Sequence, residues 1–382
     1  MPEAARTATG GVHVAGPCLA ELHDVALLDL DGVVYVGRDA VPHAATSLEA
    51  ARTRFGMRSV FVTNNASRPP RAVAEHLIEL GVRAEPGDVV TSAQAGAGML
   101  ADLIEPGSAV LAIGGPGVAE ALSERGFKPV RNVDDEAVAV MQGYGPDVGW
   151  AQLAEASLAI GRGLPWVATN LDATIPTPRG RVLGNGSLVA ALQHSSGVVP
   201  LVAGKPETPL MRESVERAGA LRPIVVGDRL DTDIEGAARA GIPSLLVLTG
   251  VTDWQDLVGA RPEHRPTHLG RDLRDLLEPM PEIDVVLTAD FAEGRCRAAT
   301  VRVPRGAGRA EEPSADAGQA SDSRSGDPLW WVPQAYRNTG QGRGADIDPA
   351  DLDVVRALVW ISWAIDDAGS RIVDEAQVHV DR

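Results

Sequence analysis

Two aspartates, Asp29 and Asp31, stand directly behind an apolar run in the segment VALLDLDGVVYVG, residues 25–37. On an extended chain, side chains two positions apart point to the same side. Two neighbouring carboxylates repel each other and are costly to remove from water, unless a cation lies beside them. A turn at Asp-Gly explains the dipeptide equally well, so the pair alone indicates either a turn or a cation site.

Further residues of chemical interest follow other apolar runs. Thr63 and Asn64 come after the run in VFVTNNAS and offer uncharged hydrogen-bond donors, although an Asx turn or a helix cap would use them too. Lys205 follows the apolar residues of LVAGKPETP and is a candidate local cation; an isolated lysine at such a place is otherwise simply solvated.

Three carboxylates, Asp228, Asp231 and Asp233, lie within six positions in PIVVGDRLDTDIEGA, where a predicted strand passes into a helix. Capping of the helix explains one of them, Asp231 or else Thr232, but not all three. A hard cation explains the rest, because Mg²⁺ binds carboxylate oxygens and uses one or two protein carboxylates beside phosphate and water.

The elements that carry these residues predict an α/β fold with a doubly wound parallel sheet. Short apolar strands alternate with helical patterns on both sides of a second α/β segment. Ligands of such sheets bind at the carboxyl ends of the strands, where Asp29, Thr63 and Asp228 each stand. The turn GGPGVAEAL lacks the full dinucleotide-binding spacing, so we predict a tight strand-to-helix turn there.

The domain boundaries follow from the same patterns. After about residue 282 the pattern changes to strand-like alternation, a polar low-complexity stretch and an apolar helix with Trp360 and Trp363; Trp330 and Trp331 also fall in this region. These features predict a small α+β region or a partner-binding surface. The prediction comprises a flexible leader at 1–21, a core at 22–92 and 191–280, an inserted cap at 93–190, and a C-terminal region at 281–382 with a disordered loop at about 305–327.

Composition limits the compartments and partners. The 35 basic and 52 acidic residues give a net charge of −17, which repels nucleic acid and anionic membranes. No apolar run approaches the roughly 18 residues of a membrane helix, and the first residues lack a signal-type apolar segment. With only Cys18 and Cys296, a disulfide framework is not supported, so we expect a cytoplasmic protein. The sequence does not determine the oligomeric state, and a homodimer is possible.

The order of the motifs resembles the haloacid dehalogenase superfamily of phosphatases. The segments DLDGVVYVG, VTNNASR, AGKP and GDRLDTDIEGA, with ATNLDATIPT and GNGSLVAAL in the inserted segment, are similar to its large-cap subfamily IIA, which includes p-nitrophenylphosphatases and phosphoglycolate phosphatases. The resemblance covers about residues 22 to 280. It implies a Mg²⁺-dependent phosphatase acting on a small-molecule phosphomonoester.

The resemblance also implies the roles of individual residues. Asp29 would be the nucleophile that forms an aspartyl-phosphate, and Asp31 would protonate the leaving group and then activate water. Thr63 and Asn64 would hydrogen-bond the phosphoryl oxygens, and Lys205 would neutralise charge on nucleophile and phosphate.

The implied metal site draws on two motifs. Asp228, Asp29 and the backbone carbonyl of Asp31 would hold Mg²⁺, and Asp233 would orient the groups around it. One divalent cation and one lysine would then supply the positive charge that the paired aspartates require.

The C-terminal region lies outside this resemblance. RNTGQG, residues 337–342, is similar to a phosphate-cradling loop of N-acetyltransferases, and we expect an acetyltransferase-like appendage without a working acetyl-CoA site. A bifunctional protein with an acetyl-CoA-binding domain is the alternative. Phosphatases with such a tail resemble an actinobacterial type associated with glycerol 3-phosphate, which makes this the first expected substrate; 2-phosphoglycolate, pyridoxal phosphate or a sugar phosphate are the alternatives.

Overall fold

The computed structural model describes residues 16–177, 179–306, 351–368, 371–372 and 379–381. The strands in these ranges are β1 (Val25–Leu28), β2 (Tyr35–Val36), β3 (Asp39–Ala40), β4 (Arg58–Thr63), β5 (Val89–Thr91), β6 (Ala109–Ile113), β7 (Lys128–Val130), β8 (Ala137–Gln142), β9 (Trp166–Ala168), β10 (Thr174–Thr177), β11 (Gly180–Leu183), β12 (Leu201–Val202), β13 (Pro223–Gly227), β14 (Ser244–Val247), β15 (His268–Gly270), β16 (Ile283–Leu287), β17 (Phe291–Cys296), β18 (Ala299–Gly306), β19 (Arg371–Ile372) and β20 (His379–Asp381). The α-helices are α1 (Leu19–Leu22), α2 (Ala44–Phe55), α3 (Pro70–Glu79), α4 (Ser92–Ala101), α5 (Pro116–Glu124), α6 (Trp150–Gly161), α7 (Asn185–Ser196), α8 (Thr208–Ala218), α9 (Glu235–Ala240), α10 (Trp254–Val258) and α11 (Leu352–Asp367).

The central sheet is parallel and has six strands in the order β15-β14-β13-β1-β4-β5. Its middle strand β1 is wholly apolar and buried because both faces of the sheet are covered: Ala26 and Leu28 pack into one core, and Val25 and Leu27 into another. Since β1 pairs with both β4 and β13, the carboxyl ends of these three strands lie side by side. The predicted doubly wound α/β core is confirmed.

The inserted segment forms a second parallel sheet, of five strands in the order β12-β9-β8-β6-β7. Helix α7 runs across the predicted boundary at residues 190 and 191, and β12 pairs with β9 of this sheet. This pairing favours a later end of the cap than the one predicted, and we propose that the cap extends to about residue 203.

The glycine-rich turn after β6 is a strand-to-helix turn, as predicted, since β6 ends at Ile113 and α5 begins at Pro116. The turn packs against the core loop that follows β4: the backbone N–H of Gly117 donates to the Ser67 carbonyl at 3.1 Å. A Cβ atom at Gly117 would lie only 2.5 Å from the Ala66 carbonyl oxygen. The glycine therefore permits a close backbone approach between cap and core.

The C-terminal region is a small α+β unit of antiparallel strands β16 to β20 and helix α11. It packs on the chain's own core, because α11, β17 and β18 share one hydrophobic cluster with α10, β14 and β15. Arg356 of α11 is buried and donates to the Leu269 carbonyl, and Trp363 Nε1 donates to the Leu257 carbonyl at 2.8 Å. Trp330, Trp331, the motif at 337–342 and the predicted loop from residue 307 onward lie outside the described residues.

The last residues of the predicted leader, 16–21, are described by the structure. Leu19 and Ala20 are buried in helix α1, and the backbone of Cys18 pairs with that of Pro279 in an isolated antiparallel β-bridge. These residues therefore pack on the core before residue 22. Residues 1–15 of the predicted leader lie outside the described residues. None of the helices described has the combination of length and apolarity needed to cross a bilayer.

Candidate active site

Lys205 lies between two of the predicted site carboxylates. Its Nζ donates to Asp29 Oδ1 at 2.5 Å and to Asp233 Oδ1 at 2.7 Å, and it lies 3.3 Å from the Val62 carbonyl. The lysine side chain is 3% exposed, so this contact takes place away from bulk water. The structure thus brings together residues from three separate predicted motifs around one ammonium group.

Asp228 stands at the end of β13, in a cleft made by two glycines. Its Oδ2 accepts a hydrogen bond from the Val251 backbone N–H at 2.6 Å. A Cβ atom would lie 2.4 Å from this oxygen if built at Gly32 and 1.9 Å if built at Gly250, so any side chain at either position would displace the carboxylate. The other oxygen, Oδ1, is buried and has no hydrogen-bond partner among the residues that the structure describes. A buried unpartnered carboxylate oxygen is costly and indicates an absent ligand.

Asp233 has a different environment. Its Oδ2 accepts hydrogen bonds from the backbone N–H groups of Asp228, at 3.3 Å, and Arg229, at 3.1 Å, while its Oδ1 faces Lys205. We predicted that Asp231 or Thr232 would cap this helix, which was wrong: Asp233 receives the backbone donors, and Asp231 pairs with Arg229 at 2.8 Å. The strand-to-helix crossing is a π turn, Leu230–Ile234, which turns Asp233 back toward the strand end.

The carboxylates of Asp29, Asp228 and Asp233 each offer an oxygen within 4.8 Å of the others. Three carboxylates and one lysine ammonium leave two negative charges in this buried cluster. A divalent cation that prefers oxygen ligands neutralises them, so the residues fit Mg²⁺ in charge and in donor type. Asp228 is the best candidate metal ligand, because one of its oxygens is free to bind a cation. The oxygens of Asp233 already accept hydrogen bonds from Lys205 and from backbone N–H groups.

The pKa values reflect this excess of negative charge. The pKa of Asp29 is raised to about 7, mainly by burial and also by the negative charge of Asp233, although Lys205 opposes the rise. Burial, with Asp233 again adding to it, raises the pKa of Asp228 to about 6. Burial alone would lower the pKa of Lys205, but its two carboxylate partners outweigh this and raise it, so the lysine stays charged. A bound dication would favour the ionised form of each carboxylate.

Thr63 and Asn64 come at the end of β4, next to this cluster, but their side chains have different surroundings. Thr63 is buried, and its Oγ1 accepts the Asn65 backbone N–H at 3.0 Å, which leaves the hydroxyl hydrogen to donate elsewhere. The Asn64 amide instead faces the backbone of Lys205, donating to its carbonyl at 3.0 Å and accepting from its N–H at 2.8 Å.

Asp31 is set apart from the other carboxylates. The residue as a whole is exposed, but its carboxylate is partly desolvated, and this raises its pKa. A hydrogen bond from the Gly37 backbone has the opposite, smaller effect on the pKa. Its side chain is not among the three clustered carboxylates. Tyr35 lies near both aspartates, whose negative charges add to the effect of burial and raise the pKa of its phenol to about 12.

Ser92 of the core and Asn170 and Asp172 of the cap contact Asn64 and were not predicted as site residues. The Asn64 carbonyl accepts from Ser92 Oγ at 2.6 Å and from Asn170 Nδ2 at 2.7 Å. The carboxylate of Asp172 lies 3.4 Å from Asn64 Nδ2. The segment ATNLDATIPT, which carries Asn170 and Asp172, contributed to the family resemblance, but a contact between two distant segments leaves no local pattern that predicts it.

Comparison with known families gives two matches along the core. Residues 26–128 match a haloacid dehalogenase-like hydrolase model, and residues 202–276 match a second, HAD-hydrolase-like model. The matched ranges end at residue 276, so the acetyltransferase-like resemblance of the C-terminal region stays a prediction.

Individual relatives match a longer stretch. The chain is 51% identical over 258 residues to D-glycerol 3-phosphate phosphatase of Mycobacterium tuberculosis, covering 68% of this chain and 72% of that one. It is 34% identical over 253 residues to acid sugar phosphatase of Staphylococcus aureus, covering 66% of this chain and 95% of the relative. A crystal structure of glycerol phosphate phosphatase from M. tuberculosis in complex with magnesium superposes with a TM-score of 0.66 at 49% identity, covering 71% of this chain and 84% of that one.

Proposed function

We propose that this chain, which belongs to the haloacid dehalogenase-like hydrolase family, hydrolyses glycerol 3-phosphate through an aspartyl-phosphate at Asp29. The chain is a phosphatase and uses Mg²⁺. The observation that carries the proposal is the meeting of Asp29, Lys205 and Asp228 at the carboxyl ends of adjacent strands, with one Asp228 oxygen buried and unpartnered.

In the proposed first step, an Asp29 carboxylate oxygen attacks phosphorus and the bond to the leaving alkoxide breaks. Asp31 gives a proton to that alkoxide, and its raised pKa supports this role, since an acid needs a proton at working pH. In the second step Asp31 takes a proton from water, which attacks phosphorus and releases Asp29. The two carboxylates divide the work because one is buried against a lysine and the other faces the solvent.

The positive charge around the phosphoryl group comes from two sources in this proposal. Lys205 donates to Asp29 and stays charged, so it can also neutralise a phosphoryl oxygen, and the Thr63 hydroxyl has a hydrogen to donate. Mg²⁺, when bound, supplies electrostatic stabilisation of the charge on the transferring phosphoryl group. Asp29, the Asp31 carbonyl and Asp228 would hold it, and Asp233 would orient Lys205 and the Asp228 backbone.

The choice of substrate rests on the relative of 51% identity, whose name gives D-glycerol 3-phosphate. The cap supports a small substrate, because Asn170 and Asp172 hydrogen-bond the core loop at the site and so place cap residues beside it. A sugar phosphate is the second candidate, favoured by the acid sugar phosphatase relative, which the chain matches over 95% of its length.

The test is a panel of phosphomonoesters assayed with Mg²⁺ and compared by kcat/KM. We expect glycerol 3-phosphate to exceed 2-phosphoglycolate, pyridoxal phosphate and sugar phosphates by at least about tenfold. Asp29→Asn should abolish phosphate release, whereas Asp134→Asn, which alters an exposed cap carboxylate paired with Arg162, should not. A sugar phosphate at the top of the panel would replace the proposed substrate, and full activity of Asp29→Asn would overturn the mechanism.

We also propose a compartment and a division into domains. The two cysteines, Cys18 and Cys296, are both free and buried, which supports a reducing cytoplasm. The sheets support a core of about 16–92 and 204–280, a cap between them and a C-terminal unit from about 281. A homodimer stays a prediction.

A further inference from the structure

The side chain of Asn64 is engaged with protein backbone at both of its polar atoms. Its Nδ2 donates to the Lys205 carbonyl at 3.0 Å, and its Oδ1 accepts the Lys205 N–H at 2.8 Å. Gly204 makes room for this pairing, because a Cβ atom there would lie 2.6 Å from Asn64 Oδ1. The second Nδ2 hydrogen points toward Asp172, at 3.4 Å. The amide therefore has no donor left for a phosphoryl oxygen.

We propose that the Asn64 side chain is a positioning residue that fixes the backbone of Lys205, rather than a phosphate ligand as its sequence motif implied. A lysine ammonium ends a flexible four-carbon chain, so its location depends on where its Cα is held. Here the ammonium must reach both Asp29 Oδ1, at 2.5 Å, and Asp233 Oδ1, at 2.7 Å. Two hydrogen bonds from one amide hold the peptide groups on either side of that Cα.

The same asparagine connects the lysine to the cap. Its carbonyl accepts from Ser92 Oγ, which begins α4, and from Asn170 Nδ2, which follows β9. Asn170 is held in turn by the Asp172 backbone N–H, which donates to Asn170 Oδ1 at 3.1 Å. Asn170 and Asp172 of the cap therefore contact Asn64, and Asn64 contacts the backbone of Lys205. The position of Lys205 is linked to the seating of the cap.

A double-mutant cycle separates positioning from direct phosphate binding. The ligand is inorganic phosphate, and its Kd is measured by calorimetry with Mg²⁺ present, so no turnover is needed. The proteins are wild type, Asn64→Ala, Lys205→Met and the double variant. Asn132→Ala is the matched control, since it removes an exposed cap amide that donates to the exposed Asp135.

We expect Asn64→Ala to weaken phosphate binding about five- to tenfold when Lys205 is present and less than twofold in the Lys205→Met background. Equal weakening in both backgrounds, or no weakening with Lys205 present, would overturn the inference. If Asn64→Ala does not fold, Asn64→Ser takes its place, because it stays polar and still removes the amide that pairs with the Lys205 backbone.

The inference rests on the role proposed above for Lys205, and the cycle distinguishes the two failures. If Lys205→Met itself leaves the phosphate Kd unchanged, the proposed role of the lysine fails. If Lys205→Met weakens binding and Asn64→Ala acts equally in both backgrounds, only the inference about Asn64 fails.

Discussion

Replacing Gly250 by alanine should disable the metal centre while leaving the fold intact. The new Cβ would lie 1.9 Å from Asp228 Oδ2 and 2.5 Å from its Cγ, although real Cβ atoms essentially never approach closer than 3.0 Å. The carboxylate must therefore move by about 1 Å, which also breaks its 2.6 Å hydrogen bond with the Val251 N–H. Mg²⁺ requires oxygens at about 2.0–2.1 Å, so a shift of this size removes Asp228 from the coordination sphere.

The expected result is a rise of about 100-fold in the Mg²⁺ concentration that gives half-maximal activity, corresponding to about 2.7 kcal/mol of binding free energy. The assay is phosphate release titrated with Mg²⁺, together with the Mg²⁺-dependent increase in Tm as a readout without substrate. Gly161→Ala is the matched control, since a Cβ there meets nothing within 4 Å. A Mg²⁺ titration of Gly250→Ala that coincides with that of wild type would refute the placement of the metal at Asp228.

Three further predictions concern stability and the cap. Arg356→Met should lower the free energy of unfolding by about 3–5 kcal/mol in urea titrations, because it removes the buried guanidinium that pairs with Asp275 and donates to the Leu269 carbonyl, although Arg271 still lies 3.6 Å from the Asp275 carboxylate. Adding Asp275→Asn should restore part of the loss, and an unchanged midpoint would contradict the C-terminal packing. Burial lowers the pKa of His268 to about 4, whereas the imidazole of the unfolded chain has a pKa of about 6.5, so His268 alone destabilises the fold by about 2 kcal/mol as the pH falls from 8 to 5. Asp29 and Asp228 titrate in the opposite sense over this range, so the measured quantity is the difference in unfolding free energy between wild type and His268→Asn, which should change by about 2 kcal/mol from pH 8 to 5; a difference independent of pH would disprove it. Gly117→Ala should lower kcat/KM at least about tenfold, because its Cβ would lie 2.5 Å from the backbone oxygen of Ala66 and force the cap away from the core. Undiminished kcat/KM would show that this contact is not needed for catalysis.

The sequence was sufficient to predict which strands carry the site. Asp29, Thr63 and Asp228 each follow a short apolar run, and in a parallel sheet such positions share one edge, so local patterns determined the geometry. Lys205 was predicted from its motif, and the structure adds its contacts with Asp29 and Asp233.

What the sequence could not provide depends on contacts between distant segments. Gly250 lies 22 positions after Asp228, and nothing near it indicates that its missing side chain makes room for that carboxylate. The orientation of the Asn64 amide depends on a backbone 141 positions away, so its motif suggested phosphate while the structure pairs it with Lys205. The later end that we propose for the cap has no local signal in the sequence, because β12 has only two residues and is defined by its pairing partner.

The most direct measurement on the central claim is the identification of the phosphorylated residue. The enzyme is mixed with excess substrate and Mg²⁺, quenched in acid within milliseconds, reduced with borohydride and digested for mass spectrometry; borohydride converts an aspartyl-phosphate to homoserine. The account predicts homoserine at position 29 of the wild-type enzyme. Homoserine at another aspartate, or its formation in Asp29→Asn, would contradict the assignment of Asp29 as the nucleophile.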